Sequence, residues 1–246
     1  MSLTETIYTR IDGFINDLPI YFLNHGYSPA YSEFEGVQFK HQLSLYKKSI
    51  DGLYLDNKSI LEVGCGRGGG SKWISDTYNV NMHGCDITPV HIEVCKKNEK
   101  ENLQYTVANA DELPYEAESM DVIFSIEASQ AFQDLKAFFE KAFNILKSDG
   151  KIIIVDMYPI SNVDRNKMMR DLDTYKDIAS LWFKDVEIEI ITDNVKQALL
   201  EDTQLMKDYI KDDKVSFFAV ENAKDSYSRY KNSDIGYFKL TGIKSL

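Results

Sequence analysis

Cysteine is scarce. The 246 residues hold three, Cys65, Cys85 and Cys95, an odd number with no CxxC spacing. That argues against a disulfide framework and for free thiols in a reducing, cytoplasmic setting. The four histidines form no HxxxH or mixed Cys/His pattern, so no metal is expected. Positive charge is short as well: 28 Lys and Arg stand against 39 Asp and Glu, for a net charge of −11. The basic pairs Lys47-Lys48 and Lys96-Lys97 read as solvated helix faces. A chain that holds nucleic acid takes most of its affinity from a basic face that neutralises phosphates, so no nucleic-acid partner is expected. Long apolar runs are missing too. The longest aliphatic stretch, Ile152-Ile153-Ile154-Val155, is far too short to span a bilayer. No basic stretch followed by an apolar one opens the chain, so neither a membrane span nor a secretory signal is expected. There is no tandem repeat, low-complexity tract or linker.

What is present suffices for one well-buried domain, since 43% of the residues are apolar. Helical patterns at 4–17 and 36–51 flank an aromatic loop, Tyr21 to Pro29. Apolar runs at 59–63, 80–85, 103–108, 120–126 and 151–157 then alternate with helical patterns at 69–78, 89–100 and 135–146. Strands alternating with helices predict parallel βαβ units and an α/β, Rossmann-like, doubly wound sheet of seven strands. The expected organisation is an N-terminal helical cap (1–57), a cofactor-binding core (58–157), a mostly helical lid insertion (158–213) and a terminal antiparallel hairpin (214–246) pairing 215–221 with 235–243. Val186-Glu187-Ile188-Glu189-Ile190 alternates like a strand but is assigned to the lid.

The chemistry concentrates at Glu62-Val63-Gly64-Cys65-Gly66-Arg67-Gly68-Gly69-Gly70, which follows a strand and opens a helix. Glycines there allow a sharp turn and close approach of a ligand. Asp86 ends the second strand, where a carboxylate can accept both hydroxyls of a ribose. Gly64-x-Gly66-x-x-Gly69 with Asp86 also satisfies the dinucleotide fingerprint, so an NAD-dependent oxidoreductase has to be weighed. Three features tilt against it: the helices that precede the loop, the carboxylate of Glu62, which suits an ammonium and not a pyrophosphate, and Ala110-Asp111-Glu112-Leu113-Pro114 after the third strand, where Asp111 can accept an adenine amino group.

These motifs resemble those of class I S-adenosylmethionine-dependent methyltransferases. A closer resemblance runs through the loop together with Cys95-Lys96-Lys97, Ser125-Ile126-Glu127-Ala128-Ser129, Phe22 to Tyr27 and Ser228-Arg229-Tyr230. It is to the phthiotriolone and phenolphthiotriolone dimycocerosate methyltransferases, over most of residues 20–240. The resemblance implies a cofactor site of Glu62, Gly64, Cys65, Gly66, Asp86, Ile87, Ala110, Asp111, Glu112 and Ser125. It also implies S-adenosylmethionine as cofactor, S-adenosylhomocysteine as product, and a small-molecule acceptor, a hydroxyl of a lipid, polyketide or similar metabolite. N- or C-methylation, a non-catalytic cofactor-binding module and a homodimeric assembly stay open. One position departs from the family: the histidine expected after Glu-Ala-Ser is Gln130, and glutamine takes no proton at neutral pH. Another group acts as base, or the acceptor needs none. His25 is the candidate base, and Gln130 is a candidate to orient the acceptor.

Overall fold

The computed structural model describes residues 21–160, 169–209, 224–232 and 234–245. The helix expected at 4–17 and the strand expected at 215–221 lie outside them. Seven strands form one sheet: β1 (Lys58–Val63), β2 (Val80–Asp86), β3 (Leu103–Val107), β4 (Met120–Ile126), β5 (Leu146–Pro159), β6 (Phe183–Ile190) and β7 (Ile235–Lys244). The helices are α1 (Lys40–Ile50), α2 (Gly69–Thr77), α3 (Pro89–Lys96), α4 (Leu135–Ile145), α5 (Leu172–Ser180), α6 (Thr192–Tyr209) and α7 (224–231).

The strand order is β3-β2-β1-β4-β5-β7-β6. The first five strands pair in parallel, and β7 runs antiparallel to both β5 and β6. The middle of β5 reads as an unbroken apolar run because both faces are covered. Successive side chains of Ile152-Ile153-Ile154-Val155 go to opposite sides. Ile153 and Val155 join Ile60, Met82 and Phe124 under Leu45 of α1, Ile74 of α2 and Ile92 of α3. Ile152 and Ile154 join Leu61 and Ile123 under Phe138 and Phe139 of α4 and Tyr175 of α5. Helix starts are set locally. Pro89 opens α3, and the carboxylates of Asp134 and Asp171 cap α4 and α5 by accepting from Ala137 N at 2.9 Å and Thr174 N at 2.7 Å.

Three expectations need correction. Residues 186–190 are not lid. They belong to β6, an edge strand of the main sheet, with Glu187, Ile188, Glu189 and Ile190 opposite Thr241, Leu240, Lys239 and Phe238. Only one face of that edge is packed, by Phe183, Val186 and Ile188, so its other face and rim carry charge and the segment looks too polar for sheet. The antiparallel pair that ends the sheet among the described residues is therefore β6 with β7, with α6 and α7 between them in sequence. The third helix stops at Lys96, short of residue 100, where Lys97 N and Asn98 N turn back to Val94 O and Cys95 O.

From β1 the chain steps outward to β2 and β3, then returns across β1 to β4. The direction of winding reverses between β1 and β4, which opens a crevice at their carboxyl ends, the place where open α/β sheets bind ligands.

Candidate active site

The crevice is a cavity of about 300 Å³, within the range of small-molecule sites. Its walls come from the carboxyl ends of five strands: Val63–Arg67 after β1, Asp86–Thr88 after β2, Ala108–Ala110 after β3, Ile126–Ala128 and Gln130–Gln133 after β4, and Met157 from β5. Tyr21, Leu23, Asn24 and His25 close it from the N-terminal side.

The glycine loop is held from beneath. Gly64 N and Cys65 N both donate to Cys85 O, at 2.8 and 2.9 Å. Gly64 has φ +79°, and a Cβ there would lie 2.2 Å from Ala128 Cβ, so no other residue fits. The carboxylate of Asp86 accepts from Gly66 N at 2.9 Å and Thr88 N at 2.8 Å, and His91 Nδ1 lies 3.4 Å away. Burial opposes its charge, but His91 and the two amides outweigh that and hold the carboxyl below its ordinary range. Asp86 thus fixes the loop while lining the cavity.

Of the residues expected from sequence, the cavity brings together Gly64, Cys65, Gly66, Asp86, Ile87, Ala110, His25 and Gln130. Four are not on its wall. Glu62 is fully buried under the loop, its two oxygens taken by the hydroxyls of Tyr46 (2.7 Å) and Ser71; Tyr46 lines the cavity instead. Ser125 is fully buried in β4 with Oγ unbonded. Glu112 is exposed. Asp111 is half-buried beside lining residues Asn109 and Ala110. Its Oδ1 is buried with no partner, and burial, with the charges of Asp134 and Glu112, raises its carboxyl. A buried carboxylate oxygen without a donor suits a ligand amino group.

Burial also pushes Glu62 up to about 7, against the lowering effect of the Ser71 and Tyr46 hydroxyls. A carboxyl held above its ordinary value favours the folded state when protonated. Its contribution is complete below pH 4.5 and is lost as pH rises through 7. Wild-type unfolding free energy should therefore fall by about 3 kcal/mol more than that of Glu62→Gln between pH 4.5 and 7. Urea unfolding of both proteins at the two pH values reads this directly, and equal losses would contradict it.

Gln130 sits on a short turn, Ser129–Ala131. Its backbone N and Ser129 Oγ both donate to Asp156 Oδ2, at 2.9 and 2.6 Å. Burial lifts the Asp156 carboxyl to about 6. On the other side Arg170 donates to the carbonyls of Ser129, Gln130 and Phe132 at 3.2, 3.2 and 2.6 Å. His25 lies opposite, with its backbone N donating to Glu127 Oε1 at 2.6 Å.

Sequence reasoning missed Met157, Phe132, His91 and Asn24 as lining groups, and gave Glu127 no role of its own. No local pattern marks them; they reach the crevice because the sheet converges there. Glu127 carries a backbone signature visible only in the structure, φ +53° in a non-glycine residue.

A family model described as a methyltransferase domain matches residues 61–154. The chain is 30% identical over 123 residues to the phthiotriol/phenolphthiotriol dimycocerosates methyltransferase of Mycobacterium leprae, covering 49% of this chain and 46% of that protein. It thus spans about half the length of the curated relatives it matches. Among solved structures, the phosphoethanolamine N-methyltransferase 2 of Haemonchus contortus in complex with S-adenosyl-L-methionine superposes with a TM-score of 0.77 at 19% identity, covering 98% of this chain and 57% of that one. A protein described as a 4+2 cyclase gives a TM-score of 0.75 at 13% identity over 99% of this chain and 95% of that one. Residues 61–154 therefore match a methyltransferase domain model, and the chain has the fold of these solved structures.

Proposed function

We propose that this chain transfers a methyl group from S-adenosylmethionine to a small-molecule acceptor, a hydroxyl of a lipid, polyketide or similar metabolite. One observation carries the reading: the glycine loop, Asp86 and Ala110 meet in a single crevice beside a second carboxylate, Glu127. Two carboxylates suit a cationic ligand. Asp86 would accept the ribose hydroxyls, and the unbonded Oδ1 of Asp111 the adenine amino group. Gly64 and Gly66 let the backbone lie close to the ligand. The cofactor would supply an already activated methyl group. The protein would orient the acceptor, exclude water and remove a proton. His25 is the proposed base and Gln130 the proposed orienting group, since both line the cavity.

The test is formation of S-adenosylhomocysteine that depends on added acceptor, screened over hydroxyl and amine compounds. His25→Ala should slow turnover by about 10²–10⁴-fold and remove the acidic limb of the pH–rate profile. Unchanged turnover and pH profile would remove His25 from the mechanism.

The alternatives are N- or C-methylation and a module that binds the cofactor without transferring its methyl. The second has a specific argument behind it: a neighbour of the same fold is described as a cyclase, and fold alone does not fix chemistry. Cofactor binding with no acceptor-dependent product would favour it.

A further inference from the structure

His25 enters the crevice on a loop fixed at several points. Gly26 N donates to the Asn24 side chain at 3.0 Å, Tyr27 N to His41 O at 2.9 Å and Ser28 N to Asn194 O at 3.2 Å. The imidazole is fixed on one edge. Nδ1 lies 3.2 Å from Tyr230 Oη and 3.7 Å from Glu127 Oε2. The Tyr230 ring meets the imidazole edge-on at 5.9 Å and 89°, and the Tyr237 ring stands at 6.4 Å. Among the described residues Nε2 makes no hydrogen bond.

Glu127 is built for this contact. It follows β4 directly with φ +53°, a left-handed conformation that is unfavourable for a non-glycine residue. Strain of this kind gathers at functional sites. The conformation is held by Glu127 N donating to Val155 O at 2.8 Å. Oε1 accepts both His25 N and Tyr237 Oη, each at 2.6 Å. With Oε1 so engaged, Oε2 faces the imidazole from a side chain only 10% exposed.

We infer that Glu127 is the positioning residue that makes His25 a base, in place of the histidine that Gln130 supplants. A carboxylate accepts and never donates, so Oε2 beside Nδ1 favours the hydrogen on Nδ1. The partner of one ring nitrogen decides which nitrogen is protonated. Tyr230 Oη then accepts from the same Nδ1–H, and Nε2 keeps its lone pair for the cavity. In the proton step the acceptor's O–H bond would break, its proton going to Nε2 and its electron pair to the methyl carbon, as the methyl–sulfur bond breaks and its electron pair stays on the sulfur of S-adenosylhomocysteine. The resulting imidazolium lies against Glu127. The base role rests on the methyl-transfer reading, but the tautomer does not.

The experiment is nitrogen-15 NMR of histidine-labelled full chain, without acceptor, recorded above the pH at which the imidazoles lose their charge. Loss of a signal in His25→Gln assigns it. The expected spectrum shows His25 mainly as the Nδ1–H form, with that predominance lost in Glu127→Gln, whose amide can still accept from His25 N and Tyr237, and kept in Tyr230→Phe. A wild-type His25 mainly in the Nε2–H form would overturn the inference, as would a tautomer unmoved by Glu127→Gln. If that variant fails to fold, the wild-type spectrum decides alone. Because no methyl is transferred, a failed acceptor screen leaves this result standing, and the reverse.

Discussion

Asp86→Ala should weaken S-adenosylhomocysteine binding by about 100-fold or more. The carboxylate is charged, and each hydrogen bond it would make to a ribose hydroxyl contributes about 1.5–3 kcal/mol. Two such bonds amount to about 3 kcal/mol or more, and each 1.4 kcal/mol is tenfold in affinity. The same carboxylate accepts from Gly66 N and Thr88 N in the ligand-free protein, so the variant should also lose stability, by about 1–3 kcal/mol for each buried amide left without a partner. Asp86→Asn separates the two roles. It keeps one acceptor oxygen for the loop and removes the charge, so its binding should lie between wild type and alanine with a smaller drop in Tm. The Asp86 carboxyl is held below its ordinary range. Its stabilising contribution is therefore present above pH 3.8 and is lost as pH falls further. Calorimetric binding and thermal unfolding of the three proteins check this; a lower Tm with unchanged affinity would make Asp86 a purely structural residue.

Gly64→Ala should abolish measurable cofactor binding while leaving the sheet folded. Two causes add. Alanine at φ +79° pays the left-handed penalty of about 1–2 kcal/mol, and its Cβ would lie 2.2 Å from Ala128 Cβ, a separation that real Cβ atoms do not tolerate. Either the loop or the turn after β4 has to move, and both line the crevice. The clash involves one methyl on each side, so Ala128→Gly should relieve it. The double variant Gly64→Ala/Ala128→Gly should recover most of the lost binding and retain only the backbone penalty. Residues in direct contact couple in this way, and a double-mutant cycle measures it. Additive losses in the double variant would show that the contact between Gly64 and Ala128 does not control the loop.

Much of this fold is readable in the sequence because its strongest signals are local. The run Ile152-Ile153-Ile154-Val155 is continuous and apolar since both faces of the strand are buried, and the glycine loop announces where β1 turns into α2. Asp86 is legible as well, being the residue where β2 leaves the sheet. The failures have a common cause. β6 is half-polar because only Phe183, Val186 and Ile188 face the core, and its place beside β7 is a long-range pairing that no window of sequence contains. Glu62 looks like a ligand group from its position before the loop. Which way a strand residue points depends on the pleat, and here the pleat buries it against Tyr46 and Ser71. The end of the crevice that holds His25 is the least legible part. His25, Glu127 and Tyr230 lie 102 and 103 residues apart along the chain, and they meet only because β4 ends beside the N-terminal loop and Tyr230 of α7 reaches His25.

Calorimetric titration of the wild-type chain with S-adenosylmethionine, S-adenosylhomocysteine and NAD, in parallel, tests the central claim most directly. The expected result is binding of the first two at a one-to-one ratio, with no heat from NAD. Binding of NAD alone, or of none of the three, would contradict it.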